Sequence, residues 1–131
     1  VMSGRPLEDM QEQLKGIYHK NLTLYPINGT QVWKYDTEWR CTTQTRMNDV
    51  VDVTTLVREV SGLAVLYRFP HEGEQVHVRE GMINICPIGR SASPAMRAAF
   101  IEQDVELGIR HDDLPTIQTI ARKYGCFATL G

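Results

Sequence analysis

The sequence predicts an α+β fold, in which antiparallel hairpins alternate with short amphipathic helices. Two turn signals and a set of helical stripes carry that reading. Asn28-Gly29 and Glu80-Gly81 each interrupt strand-like segments, the pattern of a tight antiparallel turn. Apolar residues recur at helical spacing in three other places: Leu7, Met10 and Leu14; Val53, Leu56, Val57 and Val60; and Leu114, Ile117, Ile120, Ala121 and Tyr124. Each stripe ends at a glycine, Gly16, Gly62 or Gly125, the residue best suited to stopping a helix. At 131 residues with 42% apolar content, the chain fits one ordinary domain or two small pieces of a larger one.

Taken in order, Pro6 to Lys15 is predicted as a helix, because proline suits its first turn and Gly16 its end. Leu22 to Pro26 and Gln31 to Tyr35 read as strands around Asn28-Gly29, with Glu38 to Thr43 as a third. Asp49 is placed to cap the helix carrying the Val53 stripe. Ala64 to Phe69 is expected as a strand, Asp113 to Tyr124 as a helix and Cys126 to Leu130 as a final strand. The polar stretch Thr42 to Asn48 is the expected boundary, dividing the chain into 1–44 and 45–131.

The second turn fixes a register. With Glu80-Gly81 at the tip, Arg79 faces Met82, Val78 faces Ile83, His77 faces Asn84 and Val76 faces Ile85. Side chains alternate across a sheet, so one face collects Val76, Val78, Ile83 and Ile85 as a core face. The other collects His77, Arg79 and Asn84.

Composition excludes several classes of partner. Fourteen basic against sixteen acidic residues give a formal charge of -2, so no global field recruits nucleic acid or an anionic membrane. Any anion site must be local. No apolar run approaches the roughly 18 residues of a spanning helix. Cys41, Cys86 and Cys126 are odd in number and lack a paired CxxC spacing, which argues against a disulfide framework and a zinc site. Reduced thiols in a cytoplasmic compartment are expected. His71 and His77 lie six residues apart with no third ligand in view, a weak basis for a metal. His19 and His111 are expected in surface loops, and Trp33 and Trp39 as hairpin packing rather than a sugar platform.

One local anion site does suggest itself. Ser93-Pro94 reads as the N-cap and first residue of a helix whose apolar side is Met96, Phe100 and Ile101. Arg97 falls in the first turn, where the helix dipole disfavours a cation unless an anion offsets it. Arg90 lies just upstream, and no acidic residue occurs between Gly81 and Phe100. Backbone N–H groups, the dipole and two guanidinium forks would together hold a phosphate or carboxylate. The alternative, a solvated Arg97 with Arg90 paired to a remote carboxylate, stands equally well on local physics.

The stretch REGMINICPIGRSASPAMRAAF, residues 79–100, resembles the cap-domain signature of the eukaryotic-type phosphomannomutases, R-N-G-M-L-N-V-S-P-I-G-R followed about six residues later by R. Arg79, Gly81, Met82, Asn84, Pro87, Ile88, Gly89, Arg90 and Arg97 fall on the pattern without a gap, while Glu80 replaces asparagine and Cys86 serine. PINGTQVWK (26–34) and DMQEQL (9–14) are similar to the family's P-E-N-G-L stretch and K-V-Q-E-Q-L helix. The resemblance implies a haloacid-dehalogenase-like phosphotransferase: an α+β cap with an antiparallel sheet, here 45–131, attached to part of a Rossmann-like core, here 1–44. It implies interconversion of mannose 6-phosphate and mannose 1-phosphate, with Mg2+ and a hexose bisphosphate activator. Arg79, Arg90 and Arg97 would grip the phosphate not being transferred or the sugar hydroxyls, and Asn84 would touch the sugar. A homodimer through the cap is implied, to which an exposed part of the Val50 to Val60 stripe could contribute.

The departures bear on the same reading. No D-x-D-x-T nucleophile motif is present, so the chain alone is expected to be inactive. An internal section of a longer enzyme is expected, with the Mg2+ ligands outside it. VMSGRP, residues 1–6, resembles the second motif of the superfamily and makes Ser3 a phosphoryl-binding candidate. Its Ser-Gly-Arg-Pro form is closer to the sugar-phosphatase branch than to Gly-Gly-Ser-Asp. A sugar phosphatase, or a cap fragment acting only in binding or dimerisation, are the alternatives.

Overall fold

Residues 1–5 run alongside 25–28: Tyr25 N–H donates to Val1 O at 2.8 Å, Ser3 N–H to Tyr25 O at 3.1 Å and Asn28 N–H to Ser3 O at 2.9 Å. The computed structural model describes residues 1–131 except for the side chain of Val50; the start expected for the 50–60 stripe therefore lies outside the described residues. The chain divides into two compact units, Val1–Val50 with Arg79–Met82, and Val51–Val78 with Ile83–Gly131.

In the first unit, α1 (Leu7–Gln13) follows Pro6, which occupies the N-cap position, and its Met10 is buried. The strands β1 (Thr23–Leu24), β2 (Gln31–Tyr35) and β3 (Trp39–Gln44) form an antiparallel sheet in that order. The link between β1 and β2 is longer than the expected two-residue turn. Ile27–Gly29 makes a 3₁₀ turn with positive φ at Ile27, Asn28 and Gly29 (49°, 55° and 87°). A β-branched residue there is unusual; Ile27 is buried, and its N–H donates to Arg5 O at 3.0 Å. Tyr18, Tyr35 and Trp39 pack with ring centroids 5.1 to 5.3 Å apart. Trp39 is thus hairpin packing; Trp33 Nε1 donates to Gln31 Oε1 at 2.9 Å. A short helix, α2 (Met47–Val50), closes this unit's first segment.

In the second unit, α3 (Val53–Ser61) is capped by Asp52, not Asp49: Asp52 accepts from the Thr55 N–H at 3.1 Å and the Thr55 hydroxyl at 2.6 Å. Leu56 and Val60 are buried, and Gly62 ends the helix. The strand expected over 64–69 is a 3₁₀ helix, Ala64–Tyr67. Its burial explains why: Leu63, Val65 and Leu66 are buried while Ala64 and Tyr67 are exposed, which is not period two. Leu66 N–H donates to Leu63 O and Arg68 N–H to Val65 O.

The hairpin β4 (Val76–Val78) and β5 (Ile83–Ile85) has the expected register, Val76↔Ile85, His77↔Asn84 and Val78↔Ile83, with Arg79 N–H closing the tip on Met82 O at 2.8 Å. Its apolar face is only half buried, and Val78 is 42% exposed. Helix α4 (Pro94–Leu107) starts at Ser93, whose Oγ accepts from Met96 N–H at 3.2 Å. Phe100 is buried against Phe69, but Ile101 is 55% exposed and not part of the apolar side.

Helix α5 (Ile109–Lys123) begins earlier than Asp113. Gly108 turns left-handed at φ 65°, and Asp104 Oδ1 and Oδ2 accept from the Arg110 N–H and Nε, each at 2.7 Å. That corner starts the helix four residues upstream of the expected first residue, Asp113, and places Pro115 inside it, where an N–H is missing. His111 is therefore helical, though exposed. Residues 126–130 form no ladder among the described residues. They are tied to α5 instead, by Cys126 N–H on Ala121 O at 3.0 Å and Gln118 Nε2 on Ala128 O at 3.2 Å.

Candidate functional site

Within the second unit, residues 86–93 form a loop whose shape is set by glycine and closed by hydrogen bonds. Gly89 N–H donates to Cys86 O at 2.9 Å, and Gly89 takes φ 79°. A Cβ at Gly89 would overlap the Glu72 carbonyl, so both the angle and the space demand glycine. Cys86 N–H donates to Gln75 O at 2.7 Å, Arg90 N–H to Glu74 O at 2.9 Å and Ser91 N–H to Glu72 O at 3.0 Å. Gln75 Nε2 reaches Leu66 O and Pro87 O. The loop is thus braced by residues 72–75 along its length.

Arg97 does not hang free in solvent. Its Nε donates to Ala92 O at 3.0 Å and its Nη2 to Arg90 O. These carbonyl oxygens offset its charge at the helix entrance, a part that one of the two readings of the sequence gave to an external anion and the other to solvent. A second offset was also illegible locally: Glu72, from before the hairpin, accepts the Ser93 N–H at 3.1 Å. A carboxylate therefore stands at the N-terminus of α4, where negative charge is favoured. Arg97 uses two of its five donors and keeps the rest.

Arg90 differs. Its backbone is pinned, its side chain is exposed, and its guanidinium has no hydrogen-bond partner among the described residues. Asn84 is half buried on β5 and its side-chain amide is likewise without a partner there. Across from it, His77 Nδ1 lies 2.8 Å from Glu74 Oε2. The second unit therefore holds Arg90, Arg97 and Asn84 of the expected set, together with Glu72, Glu74 and His77.

The first unit holds Ser3 and Arg79. Ser3 Oγ accepts the Arg5 N–H at 3.1 Å, a turn-closing contact. Arg79 Nη1 donates to Gly4 O at 3.1 Å, so the residue after Ser3 is where this arginine lands. Next to it, Glu80 has a structural task. Its carboxylate accepts from Gln31 Nε2 at 2.7 Å, from Arg46 Nε at 3.0 Å and from Gln44 Nε2, while its carbonyl accepts the Met47 N–H at 2.8 Å. Gln31 is buried, so a carboxylate here satisfies an amide that would otherwise be stranded. Thr30 sits against Gly81, leaving no space for a side chain at that position.

No group of three His, Cys, Asp or Glu side chains among the described residues could hold a metal ion. Among the described residues, no helix is long and apolar enough to cross a membrane.

Comparison with known proteins adds a family. The family model described as Eukaryotic phosphomannomutase matches residues 1–130. A "Probable phosphomannomutase" of Caenorhabditis elegans is 27% identical over 108 residues, covering 82% of this chain and 41% of that protein. A "Phosphomannomutase" of Drosophila melanogaster is 29% identical over 119 residues, covering 84% of this chain and 44% of that protein. The chain spans less than half the length of these curated relatives.

Proposed function

Because the chain belongs to the eukaryotic phosphomannomutase family, we propose that it supplies the phosphate-gripping section of an isomerase that interconverts mannose 6-phosphate and mannose 1-phosphate. The observation that carries this reading is Arg90: a guanidinium without a protein partner, mounted on a loop whose backbone is fixed by residues 72–75. An immobilised backbone reduces the ordering cost of binding, and a planar fork matches phosphate oxygens in pairs.

Arg97 serves the same function in two ways. Its clasp on Ala92 O and Arg90 O holds the loop, and its remaining donors add positive charge beside Arg90. Asn84 offers both a donor and an acceptor to a sugar hydroxyl. In the other unit, Arg79 and Ser3 are assigned to the phosphate or sugar and to the transferring phosphoryl group, respectively. Mg2+, when bound, would neutralise that phosphoryl group. Its ligands are assigned outside this chain; among the described residues no group of three His, Cys, Asp or Glu could hold it.

The test is calorimetry of the 131-residue chain with mannose 6-phosphate. Binding that Arg90→Ala weakens on the order of 10- to 100-fold, the worth of charge-assisted hydrogen bonds, supports the reading. Absence of binding by a folded chain overturns it. The Ser3-Gly4-Arg5-Pro6 stretch favours a phosphatase as the second reading. The complete reading frame, assayed for mannose 1-phosphate against inorganic phosphate, separates the two by product.

A further inference from the structure

We propose that His77 is a further substrate-contacting residue on the polar face of the β4–β5 hairpin, its Nε2 accepting a hydrogen bond from a hydroxyl of the hexose. The inference rests on the reading given under Proposed function, and it names a specificity residue of that site.

Three features of the second unit lead to it. His77 and Asn84 are direct cross-strand partners, so their side chains leave the same face with Cβ atoms about 5 Å apart. Whatever lies over the Asn84 amide lies within reach of the imidazole. Next, Glu74 Oε2 sits 2.8 Å from His77 Nδ1. A carboxylate accepts, so Nδ1 carries the hydrogen in this contact, and the ring with its single proton there offers Nε2 as a lone-pair acceptor. Finally, Glu74 also fixes Arg90, whose N–H donates to the Glu74 carbonyl at 2.9 Å. One residue therefore positions both a phosphate-binding candidate and the imidazole. Phosphate oxygens are acceptors and do not pair with a bare Nε2, whereas sugar hydroxyls are donors. The chemistry thus divides between a guanidinium for the phosphate and an imidazole for the sugar.

The experiment is a titration of the 131-residue chain followed by NMR of the histidine side chains. Mannose 6-phosphate is expected to shift the His77 ring signals, whereas inorganic phosphate perturbs Arg90 and leaves them in place. His77→Leu should weaken mannose 6-phosphate binding about 3- to 10-fold, the worth of one neutral hydrogen bond, and His77→Gln should restore most of it. Across a panel of monodeoxy mannose 6-phosphates, one analogue should bind wild type and His77→Leu equally. Glu74→Gln should redistribute the ring tautomers in the 15N spectrum. A ring that responds to inorganic phosphate as it does to the sugar phosphate overturns the proposal, as does wild-type affinity in His77→Leu. If Arg90→Ala loses affinity while His77→Leu does not, His77 alone is wrong. If neither variant changes binding, the underlying site reading fails with it.

Discussion

At the scale of single residues, the chain separates side chains that build a loop from side chains left over for a ligand. Gly89 is a builder. Its φ of 79° and the Glu72 carbonyl against its α-carbon leave no room for a side chain. Gly89→Ala is expected to destabilise the second unit by about 1–3 kcal/mol from the backbone angle alone, with the overlap adding to it; urea unfolding measures this. Glu80 is another builder, and the sequence showed it only as a turn residue that replaces a family asparagine. Its partners Gln31, Gln44 and Arg46 come from 34 to 49 residues away, a juxtaposition that no local pattern encodes. Glu80→Ala strands the buried Gln31 amide and should cost about 1–3 kcal/mol, whereas Glu80→Gln keeps one acceptor and should cost less. Equal losses in the two variants would mean that the carboxylate charge and its second acceptor oxygen, rather than the acceptor that glutamine keeps, hold the cluster. Arg97 was legible as an oddity at a helix entrance, but its solution was not. The oxygens that compensate it belong to a loop whose path depends on Gly89.

At the scale of elements, what was readable follows from how far each signal reaches. The β4–β5 register came directly from period-two alternation around Glu80-Gly81, because both strands and the turn lie within about ten residues. The helices carrying the Val53 and Leu114 stripes were found with shifted starts, since the deciding groups were Asp52 rather than Asp49 and a Gly108 corner held by Asp104 and Arg110. The 3₁₀ segment over Ala64–Tyr67 escaped because a short apolar run is compatible with either geometry until burial is known.

One contact between elements has a pH consequence. Glu59 of α3 accepts from Lys123 Nζ at 2.9 Å and from the Tyr124 hydroxyl at 2.7 Å. The Lys123 and Tyr124 hydrogen bonds, in that order, hold its carboxyl below the ordinary value of 4.5. A carboxyl lowered on folding binds its proton more readily unfolded, so the contact stabilises the fold fully above about pH 4.5. That contribution drains as pH falls through the folded value. Glu59→Gln should flatten stability against pH in this acid window and leave the neutral-to-acid difference smaller than in wild type. An unchanged acid slope in thermal melts would show that the α3–α5 tether is not ionised there.

On the scale of the whole molecule, each unit has a hydrogen-bonded centre of its own. Glu80 gathers Gln31, Gln44, Arg46 and the Met47 amide, all in Val1–Val50. Gly89, Glu72, Glu74 and Arg97 close the 86–93 loop among residues of Val51–Val78 and Ile83–Gly131. The sequence placed a boundary in the polar stretch Thr42 to Asn48, and a linear reading assigns each residue to one side of a single cut. Arg79–Met82 belongs with the first unit although its strands belong to the second, and only a folded chain reveals that. Regions that open separately lose hydrogen-exchange protection separately, and distant substitutions without shared partners add. Glu80→Ala is therefore expected to lower amide protection across residues 1–50 and 79–82, and Gly89→Ala across 51–78 and 83–131. The double variant should lose the sum of the two within about 0.5 kcal/mol. A uniform loss of protection over all 131 residues from either single change would show instead that the chain opens as one cooperative body. The tip residues Arg79 to Met82 discriminate most sharply, since their amides should follow Glu80→Ala and ignore Gly89→Ala although the hairpin strands respond in the opposite sense.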